Sequence, residues 1–341
     1  MDDDSKQLDG TEKPPRLWGR HTVLSGLVTL AFLAFLAGYL DWENIWREVL
    51  ECNKFFVLLG AACHYATYPL RGLRWRHSLA HLPIQGGASK FGQVVFFYNF
   101  VDNVVPAKLG DIYAAHMARI NFGIRRSEAI GSIVFLRMID AWIVLLLSLP
   151  ASWALLSDRL PDSVVWVLVG GGVIASACTL IMLAFLVLAR SLPRWIPEKI
   201  MEMIQAFRKG MWPRGRHLLP IMGFTGMIWI LETLWIYFLV AGFGIFLPPV
   251  QAVFLTMLPL LASAFPLTPS GAGVVELTLF NCLRVAGIAA LPAGSITLLN
   301  RLIDYWLHIA LGIVVWLFRR RLGLRTWEEV AGLRSALRVT S

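Results

Sequence analysis

Charge is what this sequence has least of. Asp, Glu, Lys and Arg make up only 16% of its 341 residues, while 57% are hydrophobic. One or two soluble cores cannot cover that much apolar surface, so lipid must solvate much of the chain. Cysteine is sparse too. Cys52, Cys63, Cys178 and Cys282 stand apart, with no C-x-x-C pair and no His-rich neighbour. That argues against a disulfide framework or a metal site, and no cofactor is expected. The phosphate-binding pattern G-x-x-x-x-G-K-[ST] is missing, which argues against ATP hydrolysis on this chain. No nucleic-acid motif occurs, and the net charge of +9 is dispersed over short loops between apolar runs. This is the positive-inside pattern of a membrane protein, so nucleic acid is not an expected partner.

Apolar runs are what the sequence has in abundance. Five are long enough to span a bilayer unaided, at about 22–40, 129–156, 163–189, 218–243 and 293–318. A sixth, at about 54–70, is shorter and ends in Arg71, Arg74 and Trp75, which can anchor at the interface. Two further runs are broken: 91–105 stops at Pro106, and 250–265 stops at "FPLTPSGAG". The first run lacks an A-x-A site and has a leader of mixed charge, so it reads as a retained helix.

The loops set an orientation. Residues 71–90 carry Arg71, Arg74, Arg76 and Lys90 without an acid, and 190–216 carry seven bases against two acids. By contrast, 41–53 is acidic. Both termini then lie in the cytoplasm, with 1–21 as one tail and the basic 319–341 as the other. Each broken run must return to its starting face, as a re-entrant hairpin or as a tight pair of spans. The prolines and glycines in the turns favour re-entrant hairpins.

The two halves repeat. Ala129, Arg137, Ile139, Asp140 and Trp142 match Ala293, Arg301, Ile303, Asp304 and Trp306 at an offset of 164. Pro106 and Gly110 match Pro269 and Gly273 at an offset of 163. Each unit is a broken hairpin followed by a helix bearing R-x-I-D-x-W. Two spans separate the two copies, so the units are inverted, the architecture of alternating access. The expected fold is an all-α polytopic membrane protein with about six spans and two broken hairpins. Its membrane domain covers 22–318, with repeat units at about 91–156 and 250–318. An amphipathic helix at about 195–211 is expected to lie on the cytoplasmic surface.

Ionisable residues inside these runs are costly, at roughly 3 kcal/mol each near the bilayer centre, so they must face one another or water. Arg137 with Asp140, and Arg301 with Asp304, stand at i,i+3, so each motif can form its own ion pair. They are structural pins, or arginine forks offered to a phosphate, or both. Glu232 lies mid-span with no charged residue one turn away. It needs a partner on another helix, or serves as a proton-coupling carboxylate. Near the first break, Lys108 and the N–H groups of a helix starting at Gly110–Asp111 suit an anion. The second break offers Ser270 and the N–H groups of Gly271 to Gly273, followed by Glu276. Asp111 and Glu276 also suit a capping role at helix N-termini. His64, His116 and His308 read as hydrogen-bonded core residues.

"NFVDNVVPAKLGD", "RMID" and "PLTPSGAGVVE" resemble the transmembrane, flippase-like region of lysylphosphatidylglycerol synthases and the stand-alone membrane proteins of that family. The likeness covers roughly 22–320. It implies a domain that moves a phospholipid between leaflets, since the best-known members translocate an aminoacylated phospholipid. It also implies roles for Asp111, Arg137, Glu276 and Arg301. Members often carry an arginine three residues after the acid at Asp111, where this chain has Ala114, which puts the headgroup in doubt. Only about 20 residues follow residue 320, so a synthase domain is not expected.

The function expected is therefore a lipid flippase or scramblase, in the inner membrane of a bacterium, passing a phospholipid or other anionic lipid headgroup through a polar groove. The candidate protein partners are a second copy of the chain and a separate lipid-modifying enzyme. The alternatives are a membrane-embedded enzyme acting on a lipid-linked sugar or phosphate, with Asp111 and Glu276 as acid and base, and an ion-coupled solute transporter.

Overall fold

The structure is a computed structural model that describes residues 42–104, 110–156, 162–189, 197–213, 215–263 and 273–324. The expected span at 22–40, the tail at 1–21, residues 325–341, and Pro106, Lys108, Pro269, Ser270 and Gly271 lie outside the described residues. Every described element is helical, and no strand occurs among them.

The helices in chain order are α1 (Trp42–Glu51), α2 (Lys54–Ser78), α3 (Ala88–Val104), α4 (Gly110–Phe122), α5 (Arg126–Leu156), α6 (Asp162–Leu188) and α7 (Glu198–Met211). They continue with α8 (Leu218–Ala241), α9 (Pro249–Ala262), α10 (Val274–Val285), α11 (Ala290–Arg301), a π-helical turn (Leu302–Leu307) and α12 (His308–Phe318). Four stretches are long and apolar enough to cross a membrane: Arg126–Leu156, Val164–Leu188, Gly215–Ala241 and Ala290–Phe318. They coincide with four of the five long apolar runs. Both broken runs form two short helices each, α3–α4 and α9–α10, on either side of the Pro/Gly breaks.

The helix α2 runs eight residues beyond the apolar stretch read from sequence, starting from an Asn53 cap whose side chain accepts the Phe55 N–H at 3.0 Å. Arg71, Arg74 and Trp75 are therefore not loop or interface anchors. Arg74 and Trp75 are 4% and 2% exposed, and the Trp75 indole donates to Ser132. Three of the basic residues counted toward a cytoplasmic loop, Arg71, Arg74 and Arg76, thus belong to a packed helix, which removes part of the charge argument for orientation.

Packing places α2 at the centre. It lies along α8 on one side and α3 on the other, and it also touches α5. At Gly72 a Cβ would lie 2.3 Å from the backbone nitrogen of Gly92, so α2 and α3 meet backbone to backbone and only glycine fits. The two hairpins are used reciprocally: α5 packs on α9, and α12 packs on α3. The helix α7 corresponds to the expected amphipathic segment. Its C-terminal turns dock on α5, with Ala206, Gly210 and Met211 buried, while Ile200 and Met203 remain exposed. The outward faces of α6 and α12 are apolar, with Trp166, Ile181, Leu188 and Leu317 all exposed, as a surface facing acyl chains requires.

Candidate functional site

The charged residues inside the apolar helices meet in several ion-pair groups, two of which include residues of α2. In the first unit, Asp140 on α5 does not pair with Arg137. It takes a two-pronged fork from Arg74, whose Nη1 and Nη2 donate to the two carboxylate oxygens at 2.5 and 2.8 Å. Arg137 instead reaches back to the hairpin. It donates to Asp111 in the first turn of α4 at 3.1 Å and lies 3.9 Å from Asp102 on α3. Asp102 in turn accepts the Gly110 N–H at 2.9 Å, closing the hairpin across its break.

The second unit repeats the plan with different partners. Arg301 reaches Glu276, in the first turn of α10, at 2.8 Å. Glu276 also accepts the Gly273 N–H at 2.6 Å, so it caps its helix and pairs at once. Arg301 lies 4.0 Å from the centre of the Tyr305 ring, and Tyr305 donates to the Asn103 carbonyl of the first hairpin. Asp304 meets His64 of α2, with 3.3 Å between Oδ1 and Nε2. The other ring nitrogen of His64 lies 3.1 Å from Glu232, and Arg71 donates to the second oxygen of Glu232 at 2.9 Å.

The expectation that each R-x-I-D motif pairs with itself is therefore corrected for both Arg137–Asp140 and Arg301–Asp304. Spacing at i,i+3 puts two side chains on one face, but it does not oblige them to meet. Here the long arginine leans toward its hairpin while the short aspartate is claimed by α2.

Arg71, Arg74 and Arg137 line one small, partly open cleft of about 30 Å³, together with Asp140, Tyr98 and Trp75. The Arg137 side chain is 47% exposed, whereas that of Arg74 is only 5% exposed. The Arg74 Nε–H is buried and has no hydrogen-bond acceptor among the described residues. A cleft with three guanidinium groups in low-dielectric surroundings can receive a phosphate or carboxylate through charge-assisted hydrogen bonds. Among the described residues, no three His, Cys, Asp or Glu side chains converge as a metal site. In the His64 cluster the imidazole stands between the two carboxylates, so they do not share one coordination point.

The family model of the lysylphosphatidylglycerol synthase transmembrane region matches residues 22–312. The chain belongs to that family. A UPF0104 membrane protein of Methanocaldococcus jannaschii is 26% identical over 220 residues, covering 64% of this chain and 93% of that protein. A second UPF0104 membrane protein of the same organism is 21% identical over 320 residues, covering 86% of this chain and 94% of its own. The glycosyltransferase AglD of Haloferax volcanii is 26% identical over 127 residues, which is 37% of this chain and 20% of that protein. These relatives are archaeal, so they give no support to a bacterial source. No solved structure matches the chain. Membership in a transmembrane family, together with the four apolar spans, makes this an integral membrane protein.

In this family member, the structure brings Asp111 to Arg137 and Glu276 to Arg301, the four positions that the resemblance singled out. Asp140 pairs with Arg74, and Glu232 and Asp304 flank His64, with Arg71 on Glu232. Of the hairpin positions, Gly110 opens α4, and Gly273 precedes α10 with a φ of +85°, which favours glycine. Sequence reasoning missed Arg71, Arg74, Asp102 and Tyr305. One signal was available for the first two. The buried acids Asp140 and Glu232 need cations, and the loop reading of 71–90 holds two at i,i+3, Arg71 and Arg74.

Proposed function

We infer that this protein moves an anionic lipid headgroup across the bilayer, as a flippase or scramblase, while the acyl chains stay in lipid. One observation carries the reading: a cleft lined by Arg71, Arg74 and Arg137 opens among helices whose outer faces are apolar. A headgroup phosphate is the membrane component that such a cleft suits best. The arrangement of the two units supports it. Each arginine of R-x-I-D-x-W holds an acid at the start of its own hairpin's second helix, and each hairpin's first helix packs on the other unit's long helix. Reciprocal packing of this kind is what inverted repeats with alternating access produce, with the site between them. In that frame both termini face the cytoplasm.

A second reading has one observation in its favour, the partial likeness to a glycosyltransferase. In that reading the protein acts on a lipid-linked sugar or phosphate, with Asp111 and Glu276 exchanging protons. One experiment separates the two. Purified protein is reconstituted with lipids labelled on phosphatidylglycerol, phosphatidylserine or phosphatidylcholine headgroups, and a membrane-impermeant quencher reports exposure at the outer leaflet. Mass spectrometry of the recovered lipid reports any new product. Transport predicts loss of protection of the anionic lipids with every lipid chemically unchanged. Unchanged protection with a new product would move the enzyme reading ahead.

A further inference from the structure

His64 is the one described residue whose ring nitrogens each face a different carboxylate in the network. Its side chain is 6% exposed, and it stands between Glu232 on α8, 3.1 Å from Nδ1, and Asp304 on the π-helical turn, 3.3 Å from Nε2. A neutral imidazole carries one N–H, so one of these carboxylates would face a lone pair. The charge count points the same way. Among the described residues, Glu232 pairs with the Arg71 guanidinium, whereas Asp304 meets no cation but His64, and Asp140 already has Arg74. With His64 neutral, the cluster keeps one uncompensated negative charge among apolar helices. With His64 protonated, Nδ1–H donates to Glu232, the positive ring lies 3.3 Å from Asp304 at Nε2 in an ion-pair contact outside hydrogen-bond geometry, and the cluster is neutral.

We propose that His64 is a proton-binding site, and that the proton it carries tethers the second unit's helix to α2 through Asp304. Protonation forms one N–H bond on the ring, with the proton drawn from water. Asp304 is the way in, because its side chain is 43% exposed while that of Glu232 is 11% exposed. Loss of the proton leaves a lone pair against the Asp304 carboxylate, and Asp304 then turns toward water. The backbone at this point is suited to a change. Leu302–Leu307 is π-helical, a rare single-turn irregularity where the first unit keeps a regular α-helix through Arg137 and Asp140.

The surroundings contain few competitors for the proton. The own helix of His64 contributes Arg71, Tyr65 and Tyr68; α8 contributes Glu232 and the Trp235 ring; and the π turn contributes Asp304. The helix α12 adds His308, stacked on Tyr65 and Tyr68, and α3 adds only the uncharged ring of Phe96 to that aromatic group. His308 is thus the one further imidazole in the cluster, and it faces neither carboxylate within ion-pair distance. The site deepens the lipid-transport reading by giving it a coupling ion, and rests on that reading for this role alone.

The test reads the tether and the transport separately. Hydrogen–deuterium exchange of the full chain in lipid nanodiscs follows the amides of 302–307 at about pH 5.5 and about pH 8, with labelling times rescaled for intrinsic exchange. Protection about tenfold higher at the lower pH is expected in the native protein, with the difference gone in Asp304→Asn and His64→Gln and retained in His308→Gln. Protection independent of pH in the native protein, or a response that survives Asp304→Asn, overturns the proposal. Asp304→Asn carries the test if His64→Gln does not fold, because its side chain is half open. In sealed proteoliposomes, lipid movement indifferent to an imposed pH gradient would overturn the coupling and leave lipid transport standing. A pH-dependent tether without any lipid movement would sink the transport reading and keep the proton site.

Discussion

The two units carry the same R-x-I-D-x-W, yet they expose opposite members of the pair. In the first, Asp140 is locked by Arg74 and Arg137 is open, with side chains 13% and 47% exposed. In the second, Arg301 is locked by Glu276 and Tyr305 and Asp304 is open, at 14% and 43%. Sequence identity therefore does not mean equal roles. The open cation of one unit suits an anion, and the open carboxylate of the other suits a proton. The difference arises on α2, which offers a permanently charged Arg74 to the first unit and a titratable His64 to the second.

The largest effect is expected where this contrast is locked most firmly. Arg74→Met leaves Asp140 buried without its fork and should cost about 3–5 kcal/mol, read as a fall in the thermal midpoint in detergent. Adding Asp140→Leu should restore much of the loss, since two apolar side chains replace the pair. Next comes Arg301→Lys. The ammonium keeps the charge but gives up the planar fork and the stacking on Tyr305, for a loss of about 1–2 kcal/mol in the same assay. Arg137→Lys should cost under about 1 kcal/mol, because its partner lies at an open site. It should still slow movement of anionic lipid, which separates a functional arginine from a structural one. The smallest stability change, within about 0.5–1 kcal/mol, is expected for Asp304→Asn at neutral pH. If Arg137→Lys destabilised as much as Arg301→Lys, the contrast between the units would collapse.

Much of this layout was legible in the chain. The long apolar runs marked four helices to within a few residues, because length and hydropathy alone decide whether a helix crosses lipid. The prolines and glycines marked both breaks, and Gly110 and Gly273 do stand at the starts of α4 and α10. Glu232 needed a partner on another helix, and Arg71 and His64 supply it. The partners themselves were not legible. Apolar density falls after residue 70, so Arg71 and Arg74 read as interface anchors, whereas α2 continues to Ser78 inside the protein. A buried arginine and a loop arginine look alike in a hydropathy profile. They differ only in whether a carboxylate waits on a neighbouring helix. The i,i+3 motif misled for a related reason: it fixes a shared face, and tertiary packing decides which neighbour each side chain reaches.

The most direct test of the central claim compares Arg137→Lys with Arg301→Lys in sealed proteoliposomes carrying headgroup-labelled phosphatidylglycerol, each variant first shown to be folded. The initial rate at which label becomes accessible to an impermeant quencher is the readout. The account predicts a loss of about tenfold or more for Arg137→Lys, at near-native stability, because an ammonium cannot replace the planar fork at an open anion site. A rate equal to that of the native protein would contradict it, and would reduce Arg137 to a strut between α5 and its hairpin.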